Sequence, residues 1–257
     1  MLCAKLRRSN IHGAAGAREE IERTVGQIRQ RWSGVKIILR ADSGFCREEL
    51  VSWCEQNAVD YMFGFAKNVR LVRTIGAELQ EAKTESRETQ RPARRFKELV
   101  YHTRKSWCRP RRVVAKAEQT GDKANPPFIV TSLSMQQWAA RELYEDFYCA
   151  RGECKNRIKE AQFDLFADRL SATTFRANQL RVWLASAAYV LMHALRRVGL
   201  SGTVLARACS NMIRLKLLKI GAVVTVSVRR VRLAMSEARP HQREFIAAFL
   251  ALSAAAR

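Results

Sequence analysis

Two groups of residues in this sequence have types and spacings suited to chemistry on a charged substrate. The first centres on Asp42, in "VKIILRADSGF". The β-branched run from Val35 to Arg40 reads as a buried strand. Reacting groups gather just past the C-terminal ends of strands in open α/β sheets. Gly44 permits a tight turn there, and Ser43 can cap a following helix. A carboxylate fixed at that point by a rigid strand can hold a divalent metal. The same residues also suit a plain turn and cap.

The second group lies in "YCARGECKNRIKEAQ", Tyr148 to Gln162. At about 100° per residue, with Lys155 as origin, Tyr148, Arg151, Lys159 and Gln162 all fall within roughly 40° of it. They form one helix face. Glu153 and Glu160 fall on the opposite side. An ammonium at the centre of the face repels a metal cation instead of binding it. The plain alternative is a surface helix of mixed charge.

The partner of such groups is indicated by charge. Lys and Arg number 46 against 24 Asp and Glu, a net charge of +22, which suits a polyanion whose counterions are released on binding. The charge is uneven. "TRKSWCRPRR" carries Arg104, Lys105, Arg109, Arg111 and Arg112 around one Trp, with no acid. No acid occurs between Asp168 and Glu237 either, although twelve Lys and Arg lie there. The seven cysteines include no CxxC pair, which argues against structural zinc. The N-terminus lacks the apolar core of a secretory signal, so the thiols are expected reduced and the protein cytoplasmic. "VWLASAAYVLMHAL", Val182 to Leu195, is short for a membrane span and flanked by arginines; it is expected to be a buried core helix.

The elements that position these residues follow from periodicity. "MLCAKLRR" is a possible short strand. Ile21, Val25, Ile28 and Trp32 recur at helical spacing between Ala15 and Trp32. A strand to Arg40, a helix over 47–57, a strand over 60–66 and a charged helical stretch then alternate, which implies a parallel strand pair with helical crossovers. Three strand-like runs follow, starting at Arg95, Arg111 and Pro127, and read as a small antiparallel insertion or sheet extension. The rest is mainly helical, with "AVVTVSV" a possible strand and a final helix from Arg243. The expected divisions are 1–93, a β-rich basic insertion at 94–127, a remainder of the core with the signature helix at 128–200, and a basic C-terminal region at 201–257.

"LRADSGF", "WCEQNAVDYMFGFAKN", "ANPPFIVTSL" and "YCARGECKNRIKEAQFDLFADRLS" resemble, in order, segments of DDE transposases of bacterial insertion sequences, closest to the group numbered thirteen-eighty. The resemblance implies an α/β, RNase H-like fold with an inserted segment. It also implies two Asp and one Glu holding two Mg²⁺ ions for strand cleavage and transfer. It makes Asp42 the second acid and a metal ligand. The basic residues Arg104, Lys105, Arg109, Arg111 and Arg112, with Tyr148, Arg151 and Lys159, become contacts to double-stranded DNA at transposon ends. The related signature is Y-x2-R-x3-E-x6-K. Tyr148 and Arg151 match it, whereas Lys155 stands at the catalytic Glu position and Gln162 at the final Lys.

No segment resembles the family strand that bears the first Asp, and the opening residues look like a third strand. The expectation is therefore an incomplete, N-terminally truncated RNase H-like fold with an unpaired inner edge, catalytically defective, with Mg²⁺ binding doubtful. Such a chain could act as a non-catalytic DNA-binding or regulatory fragment, as a homo-oligomer or in mixed oligomers with intact transposase. An RNA-binding scaffold and a decayed gene product are the other readings.

Overall fold

The computed structural model describes residues 2–120, 123–236 and 238–255. The chain divides into two compact units, one of Arg8–Glu153 and one of the first seven residues with the chain from Cys154 onward.

The first unit is α/β. Helix α1 (Ala17–Arg31) precedes strand β1 (Ile38–Ala41), helix α2 (Glu48–Gln56) and strand β2 (Asp60–Phe65). β1 and β2 are parallel, with Ala41 opposite Phe63, as the βαβ alternation requires. Helices α3 (Val69–Thr74) and α4 (Gly76–Thr89) lead to β3 (Ala93–Tyr101), β4 (Arg111–Thr120), the short β5 (Lys123–Ala124) and β6 (Phe128–Thr131). β6 pairs antiparallel to both β2 and β4, and β4 to β3. The order β1-β2-β6-β4-β3 makes the antiparallel strands an extension of the same sheet.

The period-two alternation of β2 decides what each face does. Tyr61 and Phe63 enter a core with Val51, Trp53, Leu71, Val113 and Phe128. Met62 points to the other face, packed with Val114, Ile129, Leu143 and Tyr144. Both faces are thus covered, which is why β2 reads as a nearly continuous apolar run. The second layer comes from a helical run that begins with α5 (Ala140–Glu142) and continues through a π-type turn at Leu143–Tyr148 and a 3-10 turn at Cys149–Arg151.

A buried ion network ties α2 to the extension. Arg111, only 2% exposed, donates from Nη1 to Glu48 at 2.7 Å and from Nε to Glu55 at 2.8 Å. Tyr61 Oη donates to Glu55 at 2.8 Å. Burial alone would raise the Glu48 pKa, but hydrogen bonds from Arg111, Cys108 and Ser52 outweigh it and bring it to about 2 from 4.5. Burial raises the Glu55 pKa as well, but the bonds from Arg111, Arg109 and Tyr61 outweigh it and leave it lowered. A folded-state pKa below the unfolded one gives stability that is complete above the unfolded value and lost as pH falls through the folded one. Thermal unfolding is therefore expected to move to lower temperature between about pH 4.5 and about pH 2. Glu48→Gln should flatten part of that slope. A melting temperature independent of pH across this window would contradict the network.

The second unit contains α6 (Gly152–Lys159), a π-type turn at Glu160–Asp164, α7 (Phe175–Ala194), α8 (Ser210–Ile213), the hairpin β7 (Ala222–Val226) and β8 (Val231–Met235), and α9 (Gln242–Ala255). Its core gathers Met192, Leu200, Leu205, Ile213, Leu217 and Ala248. Glu160 is buried and satisfied by Arg196, by Arg157 at 3.0 Å and by the Ser210 N–H and hydroxyl at 2.6 Å each.

Two expectations are corrected here. Residues 2–7 form no strand. Side chains of α7 take up their backbone groups instead: Leu6 N–H donates to Gln179, and the Ala4 carbonyl accepts from Gln179 and Trp183. Nor is α7 a buried core helix. Ala185, Tyr189 and Met192 are buried, but Leu180, Trp183, Leu184 and Leu191 are exposed, because only one side of the helix is packed. No described helix is long and apolar enough to cross a membrane.

Candidate functional site

Asp42 follows the last residue of β1. Its Oδ1 accepts from the Gly44 N–H at 3.1 Å and so caps the 3-10 turn Ser43–Phe45. This is the turn-and-cap role that the sequence allowed. Its Oδ2 accepts from Arg151 Nη2 at 3.0 Å, and Asp42 is about half exposed. The structure therefore brings together Asp42 and Arg151, 109 residues apart in sequence.

Tyr148 completes the cluster. Gly64 lies on the Met62 face of β2, and a Cβ built there would stand 2.7 Å from Tyr148 Oη and 2.9 Å from the Ser43 nitrogen. The absence of a side chain at Gly64 is what lets the phenol and the Asp42 turn reach the strand. Burial raises the Tyr148 pKa and the Asp42 carboxylate raises it further, against the opposing Arg151 cation. The phenol is thus a neutral donor. Arg40 holds the same helical segment by donating to the Phe147 carbonyl, with its guanidinium 5.3 Å from the Phe147 ring centre. Arg40 and Gly64 were not singled out from sequence. The lone glycine inside "DYMFGFA" was the available sign of a close backbone approach.

The basic segment divides. Trp107 is buried, stacked 4.9 Å from Phe65 and 5.2 Å from the Arg111 guanidinium. Thr103 Oγ1 accepts from the N–H groups of Ser106 and Trp107, which shapes the loop between them. The loop thus exposes Arg104 and Lys105, and its Ser106 and Trp107 line one cleft with His12, Ser43, Gly44 and Arg47. Arg109 is mostly exposed and pairs with Glu55 at 3.0 Å.

Arg111 and Arg112, expected as DNA contacts, also have partners inside the protein. Arg111 is spent on Glu48 and Glu55 inside the protein. Arg112 donates to both oxygens of Glu98 and to the carbonyls of Leu133 and Trp138. Each guanidinium thus has only one N–H, on Nη1, without a partner inside the protein.

The single-face projection over Tyr148 to Gln162 also needs correction. The run changes from a π-type to a 3-10 to an α to a π-type turn, and each has its own angle per residue. The projection holds within α6, where Lys155 and Lys159 are one turn apart and both exposed. Glu160, on the far side in that projection, is committed to Arg196 and Ser210.

The donor set around Asp42 does not fit a pair of divalent cations. Such ions are held by several carboxylate oxygens. Among the described residues no group of three His, Cys, Asp or Glu side chains could hold a metal. Asp42 itself is neutralised by Arg151. What the arrangement offers is a capped turn whose carboxylate is paired with Arg151, beside a cleft lined by Arg47 and Glu48 among others.

A family model described as transposase DDE domain group 1 matches residues 1–257. No curated protein matches the chain.

Proposed function

Because the chain belongs to the transposase DDE domain group 1 family, we propose that it is transposase-derived, binds duplex DNA at transposon ends, and does not itself catalyse strand cleavage and transfer. The observation that carries this reading is the Asp42–Arg151 pair at 3.0 Å. Asp42, the acid of the expected triad placed on this sequence, is held by a cation, and among the described residues no group of three His, Cys, Asp or Glu side chains could hold a metal. Lys155 stands at the sequence position of the family Glu, so the motif carries positive charge where the family's carries negative. The parallel β1 and β2 with their α2 crossover correspond, in this reading, to the later strands of an RNase H-like sheet, and β3 to β6 to the family's inserted segment. Arg104, Lys105, Arg109, Tyr148 and Arg151 in the first unit, and Lys159 in the second, are the proposed phosphate contacts, which position a duplex without reading its sequence. Mixed oligomers with an intact transposase would lower its activity.

Supercoiled plasmid and short duplexes carrying the terminal repeats that flank the gene, incubated with the chain and Mg²⁺, test the proposal. The expected result is retained binding with no nicked or joined product above background, for the wild type and Asp42→Ala alike. Robust cleavage that disappears in Asp42→Ala would overturn it.

A further inference from the structure

The β7–β8 hairpin contributes no residue to the core of the second unit. Every residue of its strands is exposed except Met235, which is half-buried. Its register sorts the side chains, since directly opposed residues share a face. Ala222 with Met235, Val224 with Leu233 and Val226 with Val231 make one face wholly apolar. Thr225 opposes Arg232 on the other, beside the apolar pair Val223 and Ala234 toward the open end of the hairpin. The tip extends that second face: Ser227 N–H donates to the Arg230 carbonyl at 2.8 Å, and Arg230 N–H donates back at 3.4 Å. Arg229 sits in the turn itself. The cationic groups therefore leave the ribbon from one face and its tip, and residues 222–235 contain no acid.

We propose that this hairpin is a DNA-binding ribbon, laid with its Thr225, Ser227, Arg230 and Arg232 face in the major groove of a B-form duplex. The inference rests on the DNA-binding reading above and adds an element to it. A two-stranded ribbon fits the B-form major groove, which is about 12 Å wide. Arginine there reaches both base edges and the flanking phosphates, and Thr225 supplies a short hydroxyl, while the Ser227 hydroxyl is bonded to the Arg230 carbonyl at 3.2 Å. Duplex RNA is a poorer fit, because the A-form major groove is too narrow for side chains to read. A bilayer is also a poorer fit, because the hairpin lacks the aromatic residues that anchor interfacial segments.

The test uses the full chain and a fluorescent duplex of about three helical turns, titrated over a range of salt concentrations. Arg229→Ala/Arg230→Ala/Arg232→Ala is expected to weaken binding at least tenfold at low salt. It should also make the slope of log K against log salt shallower by about 2 to 3, the share of three phosphate contacts. A control removes the same charge elsewhere in the second unit, at the exposed Arg207, Lys216 and Lys219, each changed to Ala. It should alter the slope by less than half as much. Equal losses in the two triple variants, or an unchanged hairpin variant beside a tightly binding wild type, would overturn the ribbon and leave the DNA reading intact. Failure of the wild type to bind any duplex would overturn both. Parallel titrations of an RNA duplex and of phosphatidylglycerol vesicles complete the test. Loss confined to either of those in the hairpin variant would overturn the assignment to DNA. A matching circular-dichroism melt shows that each variant is folded.

Discussion

Arg111→Ala is expected to cost the first unit about 3–5 kcal/mol, the penalty for removing one partner of a buried ion pair. The guanidinium is 2% exposed and serves Glu48 and Glu55 together, so its loss strands two carboxylates against α2 and β4. Arg109 is still bonded to Glu55 at 3.0 Å and offsets part of the loss there, but nothing comparable reaches Glu48. Against a total stability of about 5–15 kcal/mol this is a large fraction. Chemical denaturation would show it as a lower midpoint at an unchanged slope. Combining Arg111→Met with Glu48→Gln and Glu55→Gln should recover most of the loss, since a neutral set needs no counter-charge. A cost below about 1 kcal/mol for Arg111→Ala would mean that the guanidinium is free for DNA, as its place in "TRKSWCRPRR" first suggested.

That segment shows where the sequence could be read and where it could not. Its five cations and missing acids set the expectation of an anionic partner, because net charge survives any fold. The division among them depended on contacts distant in the chain. Glu48 and Glu55 sit on one face of α2 at a spacing of seven residues, and only the packing of α2 against the sheet brings them to Arg111. Alternation and crossover logic were enough for β1, α2, β2 and their parallel pairing, because those signals are local and periodic. The same logic missed β8, whose "VRLAM" follows directly on two arginines and alternates over too few residues. It also misjudged α7. Apolar composition measures what a helix could bury, and the exposed Leu184 and Leu191 show that composition does not say what covers it.

The candidate site was legible in a different way. Asp42, Tyr148 and Arg151 were named from a strand end and a spaced motif, and they do meet. Their meeting turns a possible metal ligand into half of an ion pair. That outcome depends on geometry: the arginine that reaches the carboxylate sits at the end of a run that passes from a π-type to a 3-10 turn. The expectation of a uniform α-helical face had no way to include those changes of pitch.

Gly64→Ala tests how tightly that geometry is held, and it is expected to destabilise the first unit by about 1–3 kcal/mol, the usual cost of overpacking. The added methyl would lie 2.7 Å from Tyr148 Oη, 2.9 Å from the Ser43 nitrogen and 3.3 Å from the Asp42 carbonyl carbon. The first contact is with the end of a side chain and could be relieved by turning the ring. The other two are with backbone of the turn that presents Asp42, and β2 cannot yield toward them without disturbing its pairing with both β1 and β6. Tyr148→Phe should therefore rescue only a minority of the loss when added to Gly64→Ala, and the double-mutant cycle reads that fraction directly. Full rescue by Tyr148→Phe would show that the phenol alone is crowded and that the Asp42 turn is free to move. A Gly64→Ala variant as stable as the wild type would remove the close approach of strand, turn and helix on which the site depends.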